Sequence, residues 1–362
     1  MTGLGWAEVA WDVVLRGVGE TARQVGDRFP LYADPVDGRW TTTGRGSWTG
    51  GFWAGLLGLR ALRTGEPADH AAAAARTARL APWAEADTAT RGLILWYGTA
   101  LGGAEAGLLR ERAARSALAA YDPVLGLVPW GTALGGPRAR ARADGVPGLV
   151  PLLASSGPEG EAAAAGHLHR HLDLCLDGAA AERPSPAWEF TGGSGWRACP
   201  DPEPGWTRGE AWLLLAVADA LLRARPARDT PWRPERLREA AELLLDKGEF
   251  LYGPLVPPAR AHHPDGPLDT SAAAIGAVAL LKLAHLPGPE AAAHRTRAES
   301  VLRNLTRRHL ARPGGTHPAG LLRDGCYDAA SGTAVRHALV WGDFFLALGL
   351  GALLDRVDLR QV

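Results

Sequence analysis

GWTRGEAWLLLAVADAL, residues 205–221, opens on Thr207 and Glu210 at the spacing of a capping box and then runs through alanine and leucine without a proline. This is the reading of a helix with its own start signal, and the same pattern recurs on both sides. In the first segment Trp6, Val9, Ala10, Val13, Val14 and Val18 fall three and four apart, with Glu8, Asp12 and Arg16 between them. Twelve such segments are predicted, near 5–24, 48–64, 67–83, 90–103, 104–118, 146–156, 158–177, 208–226, 233–250, 270–286, 288–312 and 339–357. Asp269, Thr270 and Ser271 offer a choice of N-caps before AAAIGAVALLKLAHL, and Pro287-Gly288 marks a tight turn. Convincing β-alternation is scarce.

The connections are of two kinds. Those at 64–66, 103–104 and 287–288 are very short, whereas 119–145, 178–206, 251–269 and 313–338 are long. Long loops in a compact domain are uncommon unless they are functional. A ring of six helical hairpins would close one end with the short turns and build a site at the other with the long loops. An open α-solenoid would give a similar pattern, although clear sequence repeats are missing.

Composition bounds the function. The chain has 362 residues, 46% of them hydrophobic and 22% charged, which is enough for a sizeable core. Formal net charge is zero and the arginines are spread along the chain, so a nucleic-acid partner is not expected. Lys247 and Lys282 are the only lysines and neither sits in a site-like motif, which disfavours Schiff-base chemistry. Cys175, Cys199 and Cys326 have neither disulfide-framework nor zinc spacing. The first segment reads as an amphipathic helix rather than a signal peptide, and no apolar run is long enough to span a bilayer. A soluble, reducing, cytoplasmic setting without a membrane partner is the expectation.

Fourteen tryptophans stand against five tyrosines and six phenylalanines. Trp6, Trp11 and Trp96 lie inside helical patterns and read as packing. Trp48, Trp53, Trp130, Trp188, Trp196 and Trp206 lie at helix starts or in the long loops, where flat indole faces suit sugar rings.

Five strings, in this order and spacing, carry a family resemblance. They are SWTGGFWAGLLGLRALRTGE at 47–66, ARADGVPGLVPLLA at 141–154, GWTRGEAW at 205–212, DTSAAAIGAVALLKL at 269–283 and GCYDAASGTAVRHALVWGDFFLALGL at 325–350. Together they resemble the unsaturated glucuronyl hydrolases and the related unsaturated rhamnogalacturonyl hydrolases. The resemblance implies an all-α (α/α)₆ barrel, taken here as one domain over residues 1–362. It also implies a small-molecule sugar substrate and an aspartic acid that protonates C4 of a 4,5-unsaturated uronic acid before water adds at C5. No metal or other cofactor is implied. Asp144 matches that aspartate, although an ordinary N-cap aspartate would also fit there. Arg208 and Trp212 match the substrate-contacting arginine and tryptophan, Trp48 and Trp130 the pocket aromatics, and His167 the histidine near the reacting carbons. His169 and His171 lie close by, but their spacing is weak as metal-site evidence.

Two stretches depart from the family. The second family aspartate falls in EADTATRGLILWYGTAL, where one alignment puts Thr90 in its place and another gives the role to Asp87. In the 178–206 loop, Glu189 and Ser194 stand roughly where a histidine and a glutamine are expected. Asp343 in WGDFF reads as structural. A hydrolase of an unsaturated uronide is the leading reading. An isomerase, lyase or cyclase on the same scaffold and a non-catalytic sugar-binding protein stay open, as does the oligomeric state.

Overall fold

The computed structural model describes residues 3–176, 183–224, 230–314 and 318–362. It is mostly helical. In chain order it runs α1 (Gly5–Val25), β1 (Phe29–Ala33), β2 (Trp40–Thr43), α2 (Gly50–Thr64), α3 (Pro67–Ala78), α4 (Tyr97–Thr99), α5 (Ala104–Ala119), β3 (Arg140–Arg142), α6 (Leu149–Ala154) and α7 (Pro158–Leu176). It continues with β4 (Ala187–Phe190), β5 (Trp196–Ala198), α8 (Thr207–Arg223), α9 (Pro234–Lys247), α10 (Thr270–Leu283), α11 (Ala291–Arg308), β6 (Gly325–Asp328), β7 (Thr333–Leu339) and α12 (Val340–Leu353). The expected helix ends at 177, 225 and 226 fall outside the described residues.

Two kinds of helix can be told apart by what they bury. Every residue of α10 is buried, as are nearly all of α8 and α12 and residues 50–59 of α2. A helix apolar all round must be covered all round. By contrast, α3 buries only Thr77, and α9 and α11 each bury one stripe. The buried helices form a circuit of contacts: α2 packs on α12, α12 on α10, α10 on α8, and α8 on α6. From α6 the circuit passes to a π-helical turn at Gly92–Trp96 and so back to α2. The amphipathic helices lie against this layer, α11 on α10, α9 on α8 and α3 on α2.

Three expectations need correction. The segment 90–103 is not one α-helix but the π-helical turn followed by the three-residue α4. The cause is a backbone crossing at Gly92, where a Cβ would lie 2.0 Å from the Leu149 amide nitrogen, so the chain widens to let α6 pass. Strands, read as scarce, form two antiparallel sheets of order β2-β1-β7-β6 and β3-β4-β5, built from three of the long loops and from the connection after α1. Their register includes Tyr32 opposite Leu339 and Ala141 opposite Trp188. Finally, Thr207 and Glu210 do not form a capping box. Trp206 occupies the N-cap, Thr207 Oγ1 donates to the Pro258 carbonyl at 2.8 Å, and Glu210 pairs with Arg183 at 3.3 Å. Asp269 does cap α10, its Oδ1 accepting from the Ser271 and Ala272 amides at 3.0 and 3.4 Å.

Among the described residues, no helix is long and apolar enough to cross a membrane.

Candidate active site

Each of the four long connections sends residues to one cavity of about 490 Å³. Trp130, Arg140, Arg142 and Asp144 come from the first or its end, and Asp201, Glu203 and Trp206 from the second. Ala259 and Arg260 come from the third, and the Cys326–Thr333 stretch from the fourth. Trp48, Thr90, Arg208 and Trp212 reach it from the starts of helical segments. Among the described residues, four arginines and four acidic side chains line the cavity.

Asp144 sits in a 3₁₀ turn, Ala143–Gly145, between β3 and α6. The Ala143 amide ties this turn to the Pro186 carbonyl at 2.8 Å. Both carboxylate oxygens of Asp144 accept from Arg142, at 3.0 Å from Nε and 3.2 Å from Nη2. The Arg142 guanidinium lies 4.8 Å from the centre of the Trp130 ring, which it covers. Charge pairing and stacking together hold the donor candidate against an aromatic wall. Thr90 closes the floor, its hydroxyl 2.8 Å from that of Thr88.

The opposite wall is aromatic. Trp48 Nε1 donates to the Tyr327 hydroxyl at 3.3 Å, and the Trp48 ring centroid lies 4.8 Å from that of Trp341. Trp212 is almost wholly buried and stacks on Phe52 at 6.2 Å, so only its edge borders the cavity. Arg208 is also buried. It pairs with Asp269 and donates to the carbonyls of Cys326 and Tyr327, with its guanidinium between the rings of Trp206 and Trp341. These bonds fasten α8 and α10 to β6, so Arg208 builds the wall it belongs to.

Of the seven candidate site residues Asp144, Asp87, Trp48, Trp130, His167, Arg208 and Trp212, five therefore border one cavity: Asp144, Trp48, Trp130, Arg208 and Trp212. Two do not. Asp87 lies outside the lining, where its Oδ2 accepts from the amide and hydroxyl of Thr132 and faces Arg138 at 3.4 Å. It anchors the loop that carries Trp130, and Thr90 is the residue of that stretch at the cavity. His167 is fully buried beneath the Asp144 turn. Its Nδ1 accepts from the Val128 amide at 3.1 Å, which places the proton on Nε2, 3.3 Å from the Gly145 carbonyl. Burial, and then the neighbouring His171, push its pKa well below the ordinary histidine value, so the ring is neutral and structural. Glu189 pairs with Arg140 at 3.2 Å from β4, and neither it nor Ser194 borders the cavity. Asp343 is buried and accepts from the Leu322 amide at 2.7 Å.

Sequence reading passed over Arg142, Arg260, Glu203, Tyr327 and Asp328. One signal was available for the first. Arg140, Arg142 and Asp144 alternate at period two, the spacing that puts side chains on one face of a strand. Arg260 and Glu203 pair at 3.0 Å across two loops, which no local pattern announces.

No family model and no curated protein matches the sequence. Solved structures do match the fold. An unsaturated glucuronyl hydrolase from Bacillus sp. GL1, described as responsible for glycosaminoglycan degradation, is 21% identical. It superposes with a TM-score of 0.80 over 96% of each chain. One specific for heparin is 19% identical, with a TM-score of 0.82 over 99% of this chain and 100% of that one. One from Streptococcus agalactiae, solved with dGlcA-GalNAc6S, is 16% identical, with a TM-score of 0.72 over 95% of this chain and 90% of that one. The chain thus has the fold of the unsaturated glucuronyl hydrolases along its whole length.

Proposed function

We propose that this chain is a glycoside hydrolase of the unsaturated glucuronyl hydrolase family, acting on a 4,5-unsaturated uronic acid at the end of an oligosaccharide. The circuit of buried helices is read as the inner ring of an (α/α)₆ toroid, and the chain as one domain over residues 1–362. The observation that carries the functional reading is the convergence of Asp144 with Trp48, Trp130 and Trp212 on one cavity. An acid in a cavity bordered by indoles is what a donor to a sugar enol ether needs.

In this reading the Asp144 carboxyl gives its proton to C4. The positive charge that develops at C5 is shared with the ring oxygen. Water adds at C5 and returns a proton to Asp144, so the side chain ends as it began. The hemiketal then collapses, opening the ring and releasing the remaining sugar. Of the two alignments of the second acid, the one that puts Thr90 in its place is favoured, because Thr90 borders the cavity and Asp87 does not. Three free cysteines, two of them buried, fit a reducing, cytoplasmic setting.

The test is incubation with unsaturated disaccharides of several glycans, followed by the ultraviolet absorbance of the enol ether. Loss of absorbance with the wild type and not with Asp144→Asn is expected. Sugar binding without loss across the panel would instead mark a non-catalytic binder.

A further inference from the structure

Arg142 grips the proposed donor from inside the cavity. Two parallel bonds of 3.0 and 3.2 Å occupy both oxygens of Asp144. The two side chains are only 21% and 18% exposed. The guanidinium takes one lone pair on each oxygen, so on the side that Arg142 occupies a carboxyl proton on Asp144 would face a guanidinium proton. That side of the carboxyl is open to a proton only once Arg142 leaves it. The other cavity arginines are held elsewhere: Arg140 by Glu189, Arg208 by Asp269 and Arg260 by Glu203. Arg142 is the one of the four whose partner is the proposed donor.

We propose that Arg142 recognises the carboxylate of the substrate, and that its transfer from Asp144 to that carboxylate is what frees Asp144 to carry the proton. This rests on the uronide-hydrolase reading above. A uronate offers the guanidinium the same bidentate acceptor that Asp144 does, so the exchange of partners leaves the arginine paired. Asp144, released beside the indoles, takes one proton from solvent, passes it to C4, regains one from the water that attacks C5, and returns that proton to solvent when Arg142 pairs with it again. A neutral sugar offers no exchange, and the acid stays locked. Arg142 would thus couple catalysis to the charge of the substrate.

The experiment compares an unsaturated disaccharide with its uronate methyl ester. The proteins are the wild type, Arg142→Met and Arg142→Lys, each checked for folding by thermal melting. The wild type is expected to prefer the acid by about a hundredfold in kcat/KM, the scale of a lost buried charge pair. Arg142→Met should bring the two substrates within about threefold. Arg142→Lys should keep roughly a tenth of the preference, since an ammonium lacks the planar fork. A purely structural arginine would slow both substrates by one factor and leave the ratio alone, and that outcome overturns the inference. An unchanged ratio in folded Arg142→Lys does the same if Arg142→Met does not fold. If the wild type turns over neither substrate, the hydrolase reading falls by itself. Calorimetric titration with methyl glucuronide and its methyl ester then decides the role of Arg142. Preference for the acid that disappears in the variants supports it, and equal binding, or none, overturns it.

Discussion

Replacing Asp269 by alanine tests how the cavity wall is held. Asp269 is fully buried, pairs with Arg208, caps α10, and accepts from the Ser271 hydroxyl at 2.6 Å. Removing one partner of a buried pair leaves the other charge uncompensated and costs about 3–5 kcal/mol. Loss of the cap adds about 1 kcal/mol. With an unfolding entropy of roughly 0.8 kcal/mol per kelvin for 362 residues, the combined loss corresponds to a fall in Tm of about 5–8 °C. Asp269→Asn keeps an oxygen for the cap and should lose only the ion-pair part. Adding Arg208→Met to Asp269→Asn removes the stranded guanidinium, so the double variant should be less destabilised than the sum of the singles by about 1–3 kcal/mol. Scanning calorimetry and urea unfolding read these variants together with the Arg208→Met single. Strict additivity, or a fall of less than about 2 °C for Asp269→Ala, would refute the claim that this pair fastens α8 and α10 to β6.

The remaining expectations concern single side chains. Asp144→Asn should lower kcat by roughly a hundred- to ten-thousandfold while a saturated uronide disaccharide binds at least as tightly, since no carboxylate at 144 then competes for Arg142, measured by steady-state kinetics and calorimetry. His167→Phe orphans the Val128 amide and the Gly145 carbonyl, at about 1–3 kcal/mol each, and denaturant unfolding together with kcat should show the Asp144 turn loosening. Burial raises the pKa of Asp343 to about 8, against the pull of the Leu322 amide, so the folded state keeps a proton that the unfolded chain releases above its ordinary value of 3.8. Stability should therefore fall as pH rises from about 4 to 8. Asp343→Asn should flatten that slope and show its largest gain in Tm at the alkaline end. A gain that shrinks as pH rises would contradict the assignment.

Much of the site could be read before any fold was known because it consists of strings whose meaning is local. The indole of Trp48 and the carboxyl of Asp144 each belong to a short motif, and the long loops that carry the cavity stand out by length alone. Asp87 and His167, which lie outside the cavity lining, show the limit of that locality. A carboxylate near a helix start and a histidine on a helix look alike whether they face a ligand or a neighbouring backbone amide. Only the position of the Thr132 and Val128 amides separates the two cases.

Helix periodicity, caps and the spacing of the five motifs are written in residues close along the chain, so the sequence by itself determined the helical class, most helix boundaries and the donor candidate. The tertiary structure decided what those residues meet. It set Arg142 on Asp144, locked Arg208 into Asp269 and the β6 carbonyls, widened the chain at Gly92 to let α6 cross, and paired segments of several connections into two sheets. Each of these depends on the distance and burial of a partner, and most of those partners are remote in sequence. Such energies appear only when the chain brings the groups together away from water.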